Sequence, residues 1–209
     1  MSIIIGLTGG IASGKTTVSN MFIEKNIPVI DTDKIAKELL SIDTEAYNEV
    51  IEMCGPDIKL SNNEINRKRL ASIIFANKDI RDRLNSIIHP RVKKIMMSEV
   101  ARHKQMETKV IVIDVPLLFE SGFDKYVDET ITVFVNFESQ LDRLMSRDQI
   151  DMEYANLKIK AQLPLSEKVK QSTYVIDNSL SILETKKQFI KILEKIEEKL
   201  WVFQVILLQ

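Results

Sequence analysis

Gly9-Gly10-Ile11-Ala12-Ser13-Gly14-Lys15-Thr16 has the spacing G-x-x-x-x-G-K-[ST], the pattern of a glycine-rich loop that wraps nucleotide phosphates. An apolar run, Ile3 to Thr8, leads into it, and Val18, Met21 and Phe22 follow at helical spacing within Thr16 to Lys25. Strand, loop and helix in that order are what the chemistry needs. Glycines let the chain curl with its N–H groups turned inward, and the helix N-terminus adds partial positive charge. A chance match in a chain of this size is on the order of one in a hundred. The pattern therefore predicts ATP contacts from Ala12, Ser13, Gly14, Lys15, Thr16 and Thr17. Lys15 reaches the β- and γ-phosphates, and the Thr16 hydroxyl ligates Mg²⁺.

Outward from the loop, Pro28-Val29-Ile30 reads as a second strand ending in Asp31-Thr32-Asp33, and Ile35, Ala36, Leu39 and Leu40 mark a helix face. Alternating strands and helices call for a parallel sheet with right-handed crossovers. From Thr44 to about Gln105 the pattern is helical, with interruptions expected at Gly55-Pro56, at Ser61-Asn62-Asn63 and at Pro90. Val110 to Val115, Ile131 to Val135 and Tyr174 to Ile176 are β-branched or apolar runs suited to strands covered on both faces. Leu183, Phe189, Ile190, Leu193, Ile196 and Leu200 mark a closing amphipathic helix. The expectation is one α/β domain. A parallel sheet core flanked by helices takes residues 1–40, 106–147 and 163–209, a helical acceptor-binding lobe is inserted at about 41–105, and a short helical lid lies at about 148–162.

Composition narrows the function classes. The 209 residues carry 29 Lys and Arg against 30 Asp and Glu, so no one-sign field holds a nucleic acid. The single cysteine, Cys54, and two histidines make neither a disulfide nor a zinc cluster, which reads as a reducing, cytoplasmic setting. The N-terminus reads as a buried strand with no signal peptide. The apolar stretch Leu200 to Leu208 is about half of the roughly 20 residues that span a bilayer, so no membrane is expected. A monomer or weak homo-oligomer is the expectation. The nearest approach to a guanine-reading element, Asn77-Lys78-Asp79-Ile80, has the wrong fourth residue, which disfavours a switch GTPase.

A small-molecule phosphotransferase must also orient an acceptor hydroxyl and neutralise the transferring group. Asp33, just past the second strand, is placed to act as base, while Asp31 suits helix capping. Asp114, near the end of the Val110 to Val115 strand, suits a metal-facing carboxylate. Arg143 and Arg147 are four apart on a predicted helix, for adenine and phosphate, and the polar segment from Asp148 to Gln162 suits a closing lid.

The chain resembles the dephospho-coenzyme A kinase family nearly end to end. The resemblance is carried by Gly6-Leu7-Thr8-Gly9-Gly10, Ile30-Asp31-Thr32-Asp33, Asn66-Arg67-Lys68-Arg69-Leu70 and Ile88-His89-Pro90, by Asp114-Val115-Pro116-Leu117-Leu118-Phe119-Glu120, and by Gln162-Leu163-Pro164 and Val175-Ile176-Asp177-Asn178-Ser179. It implies that Asp33 is the catalytic base, that ATP's terminal phosphoryl goes to the ribose 3′-hydroxyl of dephospho-coenzyme A with Mg²⁺ present, and that Arg67, His89, Pro116 and Leu117 lie near the acceptor. It also places Asn178 near the adenine. Three positions depart from the family pattern. Ala12 and Leu180 stand where glycine is usual, and Lys158 stands where arginine is usual. Ala12 is expected to fit if it keeps a negative φ. Two rival readings are a same-fold kinase acting on a nucleoside or nucleotide, and a nucleotide-binding regulator without turnover.

Overall fold

The structure is a computed structural model that describes residues 2–206, with side chains described to Val202; the end of the apolar C-terminal stretch, to Leu208, lies outside the described residues. The chain forms two compact units, one made of the segments up to Ile30 and from Ala101 onward, the other of Asp31–Val100.

The first unit is built on a five-stranded parallel sheet in the order β2-β3-β1-β4-β5, with β1 Ile3–Gly9, β2 Val29–Asp31, β3 Val110–Asp114, β4 Glu129–Phe134 and β5 Tyr174–Asp177. All seven residues of β1 and all five of β3 are buried, as their unbroken apolar runs require of strands covered on both faces. Alternation sorts the side chains. Ile3, Ile5 and Leu7 share one core with Val110, Val112, Ile131, Val133 and Ile176. Helix α1 (Lys15–Glu24) adds Val18, Met21 and Phe22 to that core. Helix α9 (Ile182–Ile206) adds Phe189, Ile192, Leu193, Ile196 and Leu200. Phe22 and Phe189 meet edge to face with ring centroids 4.8 Å apart. Further helices are α6 (Phe137–Asp148), α7 (Met152–Lys160) and α8 (Leu165–Gln171).

Strand order fixes the site. β1 lies between β3 and β4, so the chain after β1 emerges where the sheet's connections diverge, at the strands' C-terminal ends, which is where open α/β sheets bind ligands. Leu7 pairs with Asp114 in the β1–β3 register, which brings the end of β3 level with the start of the glycine loop.

The second unit is helical. Asp31 caps α2 (Thr32–Leu39) by accepting the Lys34 N–H at 3.0 Å, as its position predicts. Thr44 caps α3 (Glu45–Cys54), which ends at Gly55, and Asn66 caps α4 (Arg67–Ala76). Between α3 and α4 lie a 3₁₀ turn, Pro56–Ile58, and a single antiparallel bridge, Lys59 to Ile65.

The expected interruption at Pro90 does not occur. Helix α5 runs unbroken over Lys78–Gln105 with Pro90 inside it. Its buried stripe Leu84, Ile88, Val92, Met96 and Val100 stays in phase on both sides of the proline, so packing holds the helix together where the missing N–H weakens it. Arg91 helps, since its guanidinium donates to the Ile87 carbonyl at 2.8 Å and to Glu49 at 2.5 Å.

Candidate active site

Helix α1 begins at Lys15 with Gly14 before it and no side-chain cap, and the Thr17 N–H turns back to the Gly14 carbonyl at 2.9 Å; a helix start without a side-chain cap suits an anion. Gly14 is required twice over. Its φ is 90°, and a Cβ there would lie 2.0 Å from Asn178 Nδ2. Asn178 is buried because it works on the loop from behind. Its Nδ2 donates to the Ser13 carbonyl at 2.8 Å, and its Oδ1 accepts from Thr185 Oγ1 at 2.8 Å. Arg143 on α6 donates to the Asn178 carbonyl at 3.0 Å, which ties the same point to a third element. The other side of the loop is gripped at Ile11, whose N–H donates to Gln162 Oε1 and whose carbonyl accepts from Gln140 Nε2, each at 2.8 Å.

Ala12 departs from expectation. Its φ is 58°, in the left-handed region, where a non-glycine residue costs about 1–2 kcal/mol. Its methyl packs against the cluster of Leu141, Leu144 and Ala155 formed by α6 and α7, and that apolar contact offsets part of the strain. Leu180 needs no such compensation, because its backbone is not left-handed and its side chain is exposed.

Lys15 and Asp114 form an ion pair, with side chains 17% and 6% exposed. The carboxylate at the end of β3 thus holds the ammonium that the glycine loop presents. Thr16 is exposed at the second position of α1. Among the described residues there is no group of three or more His, Cys, Asp or Glu to cage a metal. One hydroxyl and one carboxylate fit Mg²⁺, which keeps waters and takes substrate phosphates as its other ligands.

The model of the dephospho-CoA kinase family matches residues 3–184. The chain belongs to the dephospho-CoA kinase family. It is 44% identical to a dephospho-CoA kinase of Oceanobacillus iheyensis over 195 residues, covering 93% of this chain and 98% of that one. The dephospho-CoA kinase of Geobacillus kaustophilus is 43% identical, with 93% and 97% covered. Among solved structures, TT1252 from Thermus thermophilus superposes with a TM-score of 0.82 at 29% identity, covering 93% of this chain and 97% of that one. The dephospho-CoA kinase from Campylobacter jejuni gives 0.71 at 25% identity, with 95% and 99% covered. Shikimate kinase from Aquifex aeolicus, at 16% identity and a TM-score of 0.52 over 94% of this chain and 98% of that one, shares the fold.

The remaining residues singled out by the dephospho-CoA kinase resemblance fall in different places. In the first unit, Pro116 and Leu117 follow β3 after one residue, Val115, and Leu117 is exposed. Leu118 beside them is fully buried and reaches β1 at Gly6, where a Cβ would stand 2.9 Å from Leu118 Cδ2. In the second unit, Asp33 is exposed in the first turn of α2 and Arg67 is exposed at the start of α4. His89 is half-buried in α5, and burial lowers its pKa, which favours the neutral imidazole.

The lid segment is tied by charge. Arg147 donates to Asp148 at 2.8 Å, and Lys158 on α7 meets the same carboxylate at 2.7 Å, where the lysine makes a one-oxygen contact in place of an arginine fork. Hydrogen bonds from Arg147 and then Lys158 hold the Asp148 pKa down at about 2.

Sequence reasoning missed Gln140, the role of Gln162, and Lys168. Lys168 stands in the largely polar run Ser166-Glu167-Lys168-Val169-Lys170, yet its side chain is 0% exposed. No periodicity distinguishes it from Lys170.

Proposed function

We propose that this chain transfers the terminal phosphoryl group of ATP to the ribose 3′-hydroxyl of dephospho-coenzyme A, giving coenzyme A and ADP. The observation that carries the reading is the Lys15–Asp114 pair at an uncapped helix start, in a chain that the dephospho-CoA kinase family covers over residues 3–184.

In this reading the loop from Ala12 to Thr17 holds the phosphates through backbone N–H groups, and Lys15 stays on the γ-oxygens as negative charge spreads over them. Asp33 accepts the proton of the 3′-hydroxyl as its oxygen bonds to the γ-phosphorus and the bond to the β–γ bridging oxygen breaks. Two features support that role: Asp33 follows β2 by two residues, at the C-terminal side of the strand, and its carboxylate is exposed in the first turn of α2. Thr16 and Asp114 would hold Mg²⁺, which supplies charge neutralisation at the phosphates when bound. Arg143 and Arg147 serve the nucleotide, with Asn178 behind the loop on the adenine side. Arg67, His89, Pro116 and Leu117 serve the acceptor, the helical segment of about 41–105 is its lobe, and residues of about 148–162 close over ATP to exclude water. The enzyme works in the cytoplasm as a monomer or weak homo-oligomer, without nucleic acid.

The test is the position of the new phosphate. Phosphorus NMR of the product should show a 3′-phosphomonoester on the ribose, and a 2′-phosphate or a pyrophosphate extension would contradict the proposal.

A further inference from the structure

Lys168 on α8 has a fully buried side chain whose ammonium donates to the Pro116 carbonyl at 2.8 Å and pairs with Glu120 Oε1 at 2.9 Å. Taking a lysine ammonium out of water costs several kcal/mol unless its partners repay it, so a buried lysine needs a reason that packing does not supply. Its two partners are the two ends of the segment Pro116 to Glu120, which the ammonium closes into a ring. The same two partners reach further. The Pro116 carbonyl also accepts from Thr8 Oγ1 at 3.0 Å, one residue before the glycine loop begins. Glu120 Oε1 also accepts the Leu163 N–H at 3.0 Å, and the neighbouring Gln162 holds the Ile11 N–H of that loop. One ammonium thus sits at the junction of the strand end that carries Asp114, the end of β1, and the segment that grips the loop from outside.

We propose that Lys168 is a positioning residue for phosphoryl transfer: its buried ammonium fixes the chain immediately after Asp114 and so holds the Lys15–Asp114 pair in place against the glycine loop. Pro116 is two residues from Asp114, so a shift of its carbonyl moves the carboxylate that Lys15 meets. A misplacement of about 1 Å at such a site costs on the order of 10² in rate. Burial lowers the Lys168 pKa, Glu120 raises it, and nearby Lys15 lowers it again, which agrees with an ammonium lodged close to the catalytic one. The inference rests on the phosphotransferase reading above.

The experiment compares Lys168→Met with the wild type, using MgATP with dephospho-coenzyme A and, separately, AMP as acceptors. ATP affinity is measured without acceptor. The expected result is a kcat at least tenfold lower per folded enzyme, with the ATP dissociation constant changed less than threefold. A kcat within twofold of wild type, with only the melting temperature lowered, overturns the inference and leaves Lys168 a structural residue. If Lys168→Met does not fold, Glu120→Gln takes its place. It leaves the Pro116 contact and weakens the other, so kcat should fall threefold or more, and an unchanged kcat overturns the inference. Wild-type turnover on AMP alone defeats the acceptor assignment while the same comparison is read on AMP. A wild type without any turnover defeats both.

Discussion

Lys15 and Asp114, 99 residues apart in the chain, are joined as an ion pair where the glycine loop leaves β1 and β3 ends beside it. A pair this enclosed stabilises little by itself, because desolvation offsets much of the attraction, but it fixes where the ammonium stands before a nucleotide arrives. Lys15→Ala should lower kcat by about 10² or more and also weaken ATP binding. Asp114→Asn should lower kcat by about 10² and raise the Mg²⁺ concentration needed for half-maximal rate. Steady-state kinetics over a Mg²⁺ titration checks both, and an unchanged Mg²⁺ requirement in Asp114→Asn would exclude a metal-facing role.

Gly14 offers a test of the loop itself. A methyl group at Gly14 meets both a φ of 90° and the Asn178 amide 2.0 Å away, so Gly14→Ala must displace the loop or its clamp. ATP affinity, measured by calorimetry, should fall by at least tenfold, or about 1.4 kcal/mol, while the melting temperature changes little. Retained affinity would mean that the loop tolerates a shape the structure forbids.

The lid charge cluster predicts a pH dependence with a definite sign. Asp148 has its pKa lowered from 3.8 to about 2 in the folded state, so its contribution to stability is complete above the ordinary value and is lost as pH falls from about 4 towards 2. Asp148→Asn should therefore be less stable than wild type at neutral pH, and the two melting temperatures should converge as pH drops through that window. A gap that persists unchanged below pH 3 would show that Arg147 and Lys158 do not act through the charged carboxylate.

Asp33→Asn isolates the proposed base. It should bind ATP like wild type and should transfer phosphate at a rate lower by about 10² or more. Full activity in that variant would sink the assignment.

Most of the fold could be read from the chain because its signals are local. The β-branched runs of β1 and β3 match strands buried on both faces, and the Asp31 and Thr44 caps sit where short polar side chains precede apolar periodicity. The loop between β1 and α1 was legible for the same reason, since its glycines and Lys15 fall within seven residues. Two misreadings came from non-local compensation. Pro90 was given its local helix-breaking character, which an in-phase stripe of α5 overrides, and Ala12 was expected at negative φ, whereas the α6–α7 cluster that supports its left-handed backbone lies more than a hundred residues away. Lys168 and Gln140 were illegible because a polar residue in a polar run carries no mark of the partners that bury it.

The most direct test of the account is a coupled assay for ADP release with MgATP and dephospho-coenzyme A, adenosine or AMP as acceptor, with the mass of each product measured. The account predicts turnover on dephospho-coenzyme A and a product heavier by one phosphate. Turnover confined to AMP or adenosine would contradict it and leave only the nucleotide chemistry of the loop.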